Sequence, residues 1–390
     1  MIIQGATIQG TSIYDAQDLF PFSFFNFTSN IVGAGGPTLG NLYNTYSNAG
    51  NTWITNTEYF TVPNDWRGFQ IWTVPRTGPY RVTVAGSRSG IAVGWTSNVL
   101  AANAHGRGAV VQSVFNLQRG QRITLVVGQP SANTTTTSYS SPGGGGGSFV
   151  ALGNIASVGF ANLTPLLIAG GGGACGTWTS NTAIFPGGYG VTRRRGGNSA
   201  GNSGATITAN RVGAPGGING LGGNTRVNVN GTVGTNTYDS GGGGGWSGNG
   251  FVYTGTGWSS NTAFLTSSGQ GGGAGNSIQF KAVGGISATG YLPPATSYGG
   301  FGGGSGSGPI GGGAGGGYSG GGGGYSGVNP GIDSGGGGGS YIDSNASSVA
   351  TSDGQFDLSG TFNGASITNL GFYNNTAGYI SIVRDRKSVV

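Results

Sequence analysis

The chain has 390 residues with a formal net charge of +6, and 90 of those residues are glycine while only 7% are charged, against roughly 25% in ordinary globular domains. So much glycine argues against helices, since each buried or helical glycine loses more conformational entropy than any other residue. Hydrophobic residues at 35% and aromatics at 11% argue equally against disorder, because they supply the apolar surface for a core.

Residues 1–58 read as an N-terminal arm rich in Phe, Asn and Thr. Phe20, Phe22, Phe24, Phe25 and Phe27 crowd around Pro21, and the alternation of the first three would place them on one side of an extended segment. Those rings are candidates for packing either on the chain's own domain or on a neighbour. From Tyr59 the pattern changes to short alternating segments. Pro79 to Gly86 sets Tyr80, Val82 and Val84 on one face, Arg107 to Leu117 is a longer strand, and Arg122 to Gly128 sets Ile123, Leu125 and Val127 on a common face. The last two read as a hairpin around Arg119-Gly120. Gly378 to Val383 is a final strand, which places the first and last strands in one sandwich. The division this suggests is an arm at 1–58, a glycine-rich domain at 59–383 with sandwich strands in 59–130 and 355–383, an insert at about 140–345, and a tail at 384–390.

The insert holds uninterrupted glycine runs at 143–147, 170–173, 241–245, 320–324 and 335–339, with shorter runs at 271–273, 311–313 and 315–317. Flexible linkers do not alternate with anchors such as Phe149, Val150, Leu166, Leu167, Ile168, Trp246 and Tyr341, and the runs lack the Gly-X-Y period of collagen. A left-handed helix of three residues per turn accounts for them. Such a helix makes no internal hydrogen bonds, so every backbone N–H and C=O must find a partner on a neighbouring tract, and only glycine lets tracts approach that closely. Gly143, Gly145, Gly171, Gly243, Gly322 and Gly337 are the scaffold positions this reading picks out.

The order of motifs resembles the glycine-rich domain of the anaplastic lymphoma kinase and leukocyte tyrosine kinase receptors, found also in proteins of large DNA viruses and microbes. The matching stretches are Thr73 to Pro75, Gly78 to Gly86, Gly106 to Ala109, Phe115 to Gly120, Val126 to Gly128, Gly143 to Val150, Pro165 to Gly170, Gly317 to Gly320, Gly335 to Ile342 and Gly378 to Val383. The resemblance implies an all-β fold: a tumour-necrosis-factor-like, jelly-roll-like β-sandwich carrying packed polyglycine helices, with essentially no α-helix. It also implies protein binding rather than catalysis. Receptor function is not expected to transfer, because the sequence shows one cysteine and no kinase, membrane-span or signal-peptide pattern.

The residues that carry chemistry are sparse. Cys175 is the only cysteine and His105 the only histidine, so neither an intramolecular disulfide nor a histidine metal cluster is available. No Gly-Lys-Ser/Thr phosphate loop occurs, and Gly317 to Gly321 matches the G-x-S-x-G spacing without the helix that a nucleophile elbow requires. The expectation is a non-enzymatic protein with no catalytic residues, metal or cofactor. Its expected role is that of a minor capsid or surface protein of a large DNA virus, located in the virion and made in the host cytoplasm. Its partners would be other capsid or surface proteins or further copies of itself. The alternative is an adhesin or glycan- or receptor-binding module, extracellular or at a cell surface, using Trp178, Trp246 and Trp258. The basic run Arg193 to Arg195 is too narrow for a nucleic-acid face, though it could meet an acidic neighbouring subunit. No stretch reaches the roughly 20 apolar residues of a membrane span.

Overall fold

A computed structural model describes residues 18–46, 51–92, 104–134, 141–176, 186–201, 213–225, 239–253, 258–259, 274–286, 298–308, 311–324, 333–346, 349–352, 360–362, 365–367 and 377–384. The fold is all-β. Strands β1 (Phe24–Phe27), β4 (Gly78–Ala85), β5 (Val110–Leu117), β10 (Val349–Ser352) and β11 (Tyr379–Arg384) form one antiparallel sheet in the order β1-β11-β4-β5-β10. A second antiparallel sheet has the order β9-β8-β7-β6-β3-β2, built from β2 (Phe60–Thr61), β3 (Phe69–Thr73), β6 (Arg122–Val126), β7 (Ser148–Leu152), β8 (Thr164–Ala169) and β9 (Tyr341–Ile342). The longest helix among the described residues, α1 (Leu39–Tyr46), spans two turns.

The sheets share one core. Tyr80, Val82, Val84, Val111, Phe115, Ile380 and Ile382 from the first sheet meet Phe60, Trp72, Ile123, Leu125, Val150 and Leu167 from the second. The period-2 alternation read from Tyr80 to Val84 and from Ile123 to Val127 is therefore the core-facing side of β4 and β6. Hairpin pairing of the runs 107–117 and 122–128 does not occur. Instead β5 pairs with β4 and β10, while β6 pairs with β3 and β7. The link Gln118–Gln121 crosses from one sheet to the other, tied to the end of β3 by hydrogen bonds between Val74 and both Gly120 and Gln121.

The second sheet is buried on both faces. Its outer side carries Phe69, Ile71, Val126, Phe149, Ala151 and Ile168, which pack against Ile278, Ala282 and Phe301 from the glycine-rich region. Strands covered on both faces read as continuous apolar runs rather than alternations. Hence Phe149, Val150, Leu166, Leu167 and Ile168, which border glycine runs in the sequence, belong to sandwich strands lying within the span 140–345 that composition assigns to the insert.

The described part of the N-terminal arm is built into this sandwich. β1 pairs with β11 so that Phe25 lies opposite Ile382 and Phe27 opposite Ile380, and directly opposed residues share a face. A bend at Ser23 shifts the alternation, so Phe20, Phe22, Phe25 and Phe27 enter the core while Phe24 is 50% exposed. Downstream, the Phe301 N–H donates to the Gly33 carbonyl, the Gly284 N–H to Ala34 and the Gly68 N–H to Pro37, so the arm also ties sandwich to glycine tracts.

The glycine tracts show the hydrogen-bond rotation of a three-residue turn. Gly144 donates to Ser305, Gly145 to Gly172, Gly146 to Gln129, and Gly147 returns to the first neighbour at Gly302. Gly171 and Ala174 likewise share the neighbour bearing Gly316 and Gly313, with Gly172 and Gly173 turned to Ser87 and Gly188. Gly315 and Tyr318 donate to Gly336 and Gly339, while Gly316 and Gly317 face two other tracts. Each tract thus presents its amides to three neighbours in turn. None of the glycines described in the five long runs has a positive φ, the sign that a left-handed three-fold helix needs. Side-by-side packing demands glycine by close approach: a methyl group at Gly322 would come within 3.0 Å of the Ala214 carbonyl oxygen. Buried serines complete the pairing where strand becomes tract. The Ser148 hydroxyl donates to the Ala85 carbonyl (2.7 Å) and accepts from the Gly128 N–H (2.9 Å), and Ser340 does the same between Val191 and Gly170.

Candidate interaction surface

Where the tracts meet the outer face of the second sheet, a rim of aromatic side chains is left partly exposed. It starts from rigid backbone. Trp246 follows the run 241–245 and its N–H donates to the Tyr318 carbonyl (2.8 Å), fixing the end of one tract against another. Phe160 sits in the turn after the short helix Ile155–Val158, whose N-terminus is capped by the Asn154 side chain accepting from the Ala156 N–H (3.1 Å). Its ring lies 5.1 Å from that of Trp246, and the buried Phe149 ring supports Trp246 from below at 6.4 Å. Tyr318 stacks on Tyr341 of β9 at 4.7 Å, and the Arg194 guanidinium lies 4.6 Å from the centre of the Tyr341 ring. Burial first, and the Asp343 carboxylate second, push the Tyr341 hydroxyl above its ordinary pKa, with Arg194 opposing.

Beside Trp246 and Tyr318 a tight turn runs from Ile218 to Leu221. Asn219 and Gly220 have φ of 51° and 85°, and the Leu221 N–H donates to the Ile218 carbonyl (3.0 Å), the geometry of a type I′ turn that an Asn-Gly pair favours. The Gly220 carbonyl accepts from Ser247 and its N–H donates to the buried Ser319 hydroxyl, so the turn is stapled to the adjoining tracts. Ile218 and Leu221 are nevertheless each 50% exposed. Fixed aliphatic tips next to fixed, partly exposed rings are the composition of a protein-contact surface.

The candidate residues named from sequence divide clearly. Trp246 is on this rim. Trp178 lies outside the described residues, and Trp258 falls in the short strand Trp258–Ser259 paired with Val252–Tyr253, of whose side chains nothing is described. Phe20, Phe22, Phe25 and Phe27 are not available as docking groups in this chain: their rings stack among Trp53, Tyr59, Tyr46, Phe60 and Trp72 inside the core. Phe24 alone of the five points outward, at the lip of a groove of about 530 Å³ alongside residues 18–24 and Asn51. Asp18, at the head of that groove, accepts from the Arg384 guanidinium (2.7 Å) and lies 3.6 Å from that of Arg76, joining arm to final strand. Gly143, Gly145, Gly171, Gly243, Gly322 and Gly337 are all buried in the packed tracts.

Sequence reasoning missed Phe160, Tyr318, Tyr341, Ile218 and Leu221 as members of one surface. The Asn219-Gly220 turn signal flanked by two aliphatic residues was the available clue. The lone cysteine, the lone histidine and Ser319 are placed in the interior. Cys175 is fully buried, and burial pushes its thiol up to about 11; His105 is buried, and Ser319 lies within the glycine tracts. Among the described residues no three His, Cys, Asp or Glu side chains converge as a metal site would need, and no helix is long and apolar enough to cross a membrane. Compared with known proteins, no family model and no curated sequence matches the chain.

Proposed function

We propose that the chain is a non-enzymatic structural protein of a large assembly, a minor capsid or surface protein of a large DNA virus, acting through contacts with neighbouring subunits. The single observation that supports this most is the pairing of a backbone-bonded scaffold with an exposed aliphatic turn and a partly exposed aromatic rim. The tracts hold Trp246, Tyr318, Tyr341 and the Ile218–Leu221 turn in fixed positions, so a partner that buries them loses little conformational entropy on binding. The resemblance to the receptor-type glycine-rich domain points the same way, toward binding rather than catalysis. An adhesin role is the second reading, favoured by the partly exposed side chain of Trp246.

Density-gradient sedimentation of the tagged full chain from the cells that produce it tests the proposal. The native chain should co-sediment with a large particle, and Leu221→Asp should remain near the top of the gradient while melting like the parent. A native chain that sediments as free monomer throughout would overturn the structural reading.

A further inference from the structure

We propose that the Arg193–Arg195 loop, the Tyr318–Tyr341 pair and the Ile218–Leu221 turn together dock an acidic, apolar segment of a neighbouring protein; this rests on the reading that the chain acts by subunit contact. Three consecutive guanidinium groups are exposed on this loop. Among the described residues the ion pairs are those of Asp18 with Arg76 and Arg384, so no carboxylate of the described chain is paired with Arg193, Arg194 or Arg195. The loop is also fixed: the Ser340 N–H donates to the Arg193 carbonyl (2.9 Å), and Arg194 is laid over the Tyr341 ring. A guanidinium stacked on an aromatic face keeps its N–H edge free for a carboxylate, and a pre-placed fork loses less entropy on pairing. Asp343, two residues after Tyr341, turns its Oδ1 into its own loop, accepting from the Asn345 N–H (2.7 Å).

Charge and apolar surface are contiguous here. Arg194 touches Tyr341, Tyr341 stacks on Tyr318, and Tyr318 is bonded through its carbonyl to Trp246, beside the turn that exposes Ile218 and Leu221. A partner complementary to this surface presents carboxylates next to leucine- or tryptophan-like side chains. A sugar is the poorer fit. Arg194 and Tyr318 both lie against the Tyr341 ring, Phe160 and Phe149 lie against Trp246, and aliphatic tips offer no stacking face.

The test uses the full chain with three probes: an immobilised heptapeptide alternating glutamate with leucine and tryptophan, its glutamine twin, and a sulfated heparin oligosaccharide. The acidic peptide should bind at least tenfold tighter than the glutamine twin. Binding should fall at least tenfold in R193E/R194E/R195E and in Leu221→Asp, with the melting temperature of both unchanged. Substituting the three arginines by lysine should retain part of the affinity, since charge survives but the fork is lost. Equal binding of the two peptides, failure of the acidic peptide to bind, or preference for the oligosaccharide would each overturn the inference. Sedimentation separates the two levels: a native chain that enters the particle equally well with the arginines reversed leaves the structural role standing and removes the acidic partner.

Discussion

Replacing Phe27 by alanine distinguishes an arm that belongs to the core from one that docks elsewhere. Phe27 is fully buried, in contact with the rings of Phe25, Tyr46, Phe60 and Trp72 at centroid distances of 4.8 to 6.5 Å. Truncating such a ring removes its transfer free energy and leaves a cavity that rigid neighbours fill only in part, a loss of about 3–5 kcal/mol. Phe24, three residues earlier on the same strand and 50% exposed, should cost within about 0.5 kcal/mol when changed to alanine. Equilibrium denaturation in urea reads both: the midpoint of Phe27→Ala should drop markedly at unchanged slope, and that of Phe24→Ala should hardly move. Deleting residues 1–58 magnifies the effect, because Phe20, Phe22, Phe25, Phe27, Leu42, Tyr46, Trp53 and Ile54 all leave the core. At roughly 1.5–3 kcal/mol for each of these eight buried side chains, the loss of about 12–24 kcal/mol matches or exceeds the about 5–15 kcal/mol by which folded proteins are stable. A chain starting at Tyr59 should therefore not fold. Equal costs for the two Phe variants, or a folded truncation, would refute the placement of the arm.

Gly322→Val should destabilise the chain by about 2 kcal/mol or more, since the new side chain meets the Ala214 carbonyl, whereas Gly35→Ala, with nothing within 4 Å, should leave the melting temperature unchanged. Cys175 should resist a thiol reagent at pH 8 in the native chain and react at once in denaturant, because its thiol is buried and its pKa raised to about 11. Burial raises the hydroxyls of Tyr80 and Tyr379 to about 12, above the ordinary value near 10 that they take in the unfolded chain. Their contribution to stability is thus complete below pH 10 and falls between about pH 10 and 12, which an ultraviolet phenolate titration run beside denaturation curves would show. Ser319→Ala should cost about 1 kcal/mol by leaving the Gly220 N–H without its acceptor, and should change no turnover of ester, phosphate or glycoside substrates; an activity abolished by it would sink the non-enzymatic reading.

What the sequence determines here is local. Alternation at Tyr80, Val82 and Val84 and at Ile123, Leu125 and Val127 marks strands with one face on the core, because a period of two has no other packed solution. Uninterrupted glycine between apolar anchors marks tracts that must bond to neighbours, because a three-residue turn satisfies none of its own amides. The Asn219-Gly220 pair marks a tight turn, since both positions need a positive φ. Tertiary structure alone decides the rest. Ser148–Leu152 and Thr164–Ala169 are covered on both faces, which erases the alternation that would have identified them as sandwich strands. The bend at Ser23 that turns Phe24 outward and Phe25 inward follows from the register between β1 and β11, a partner some 350 residues away in sequence. Which glycine tract lies beside which is not written in the tracts, because they carry no side chains with which to specify a partner, and buried serines such as Ser148 and Ser340 bond where strand becomes tract. The interaction surface is legible only after that choice, since Arg194, Leu221, Trp246, Tyr318 and Tyr341 come together through the packing of tracts whose own sequences are alike.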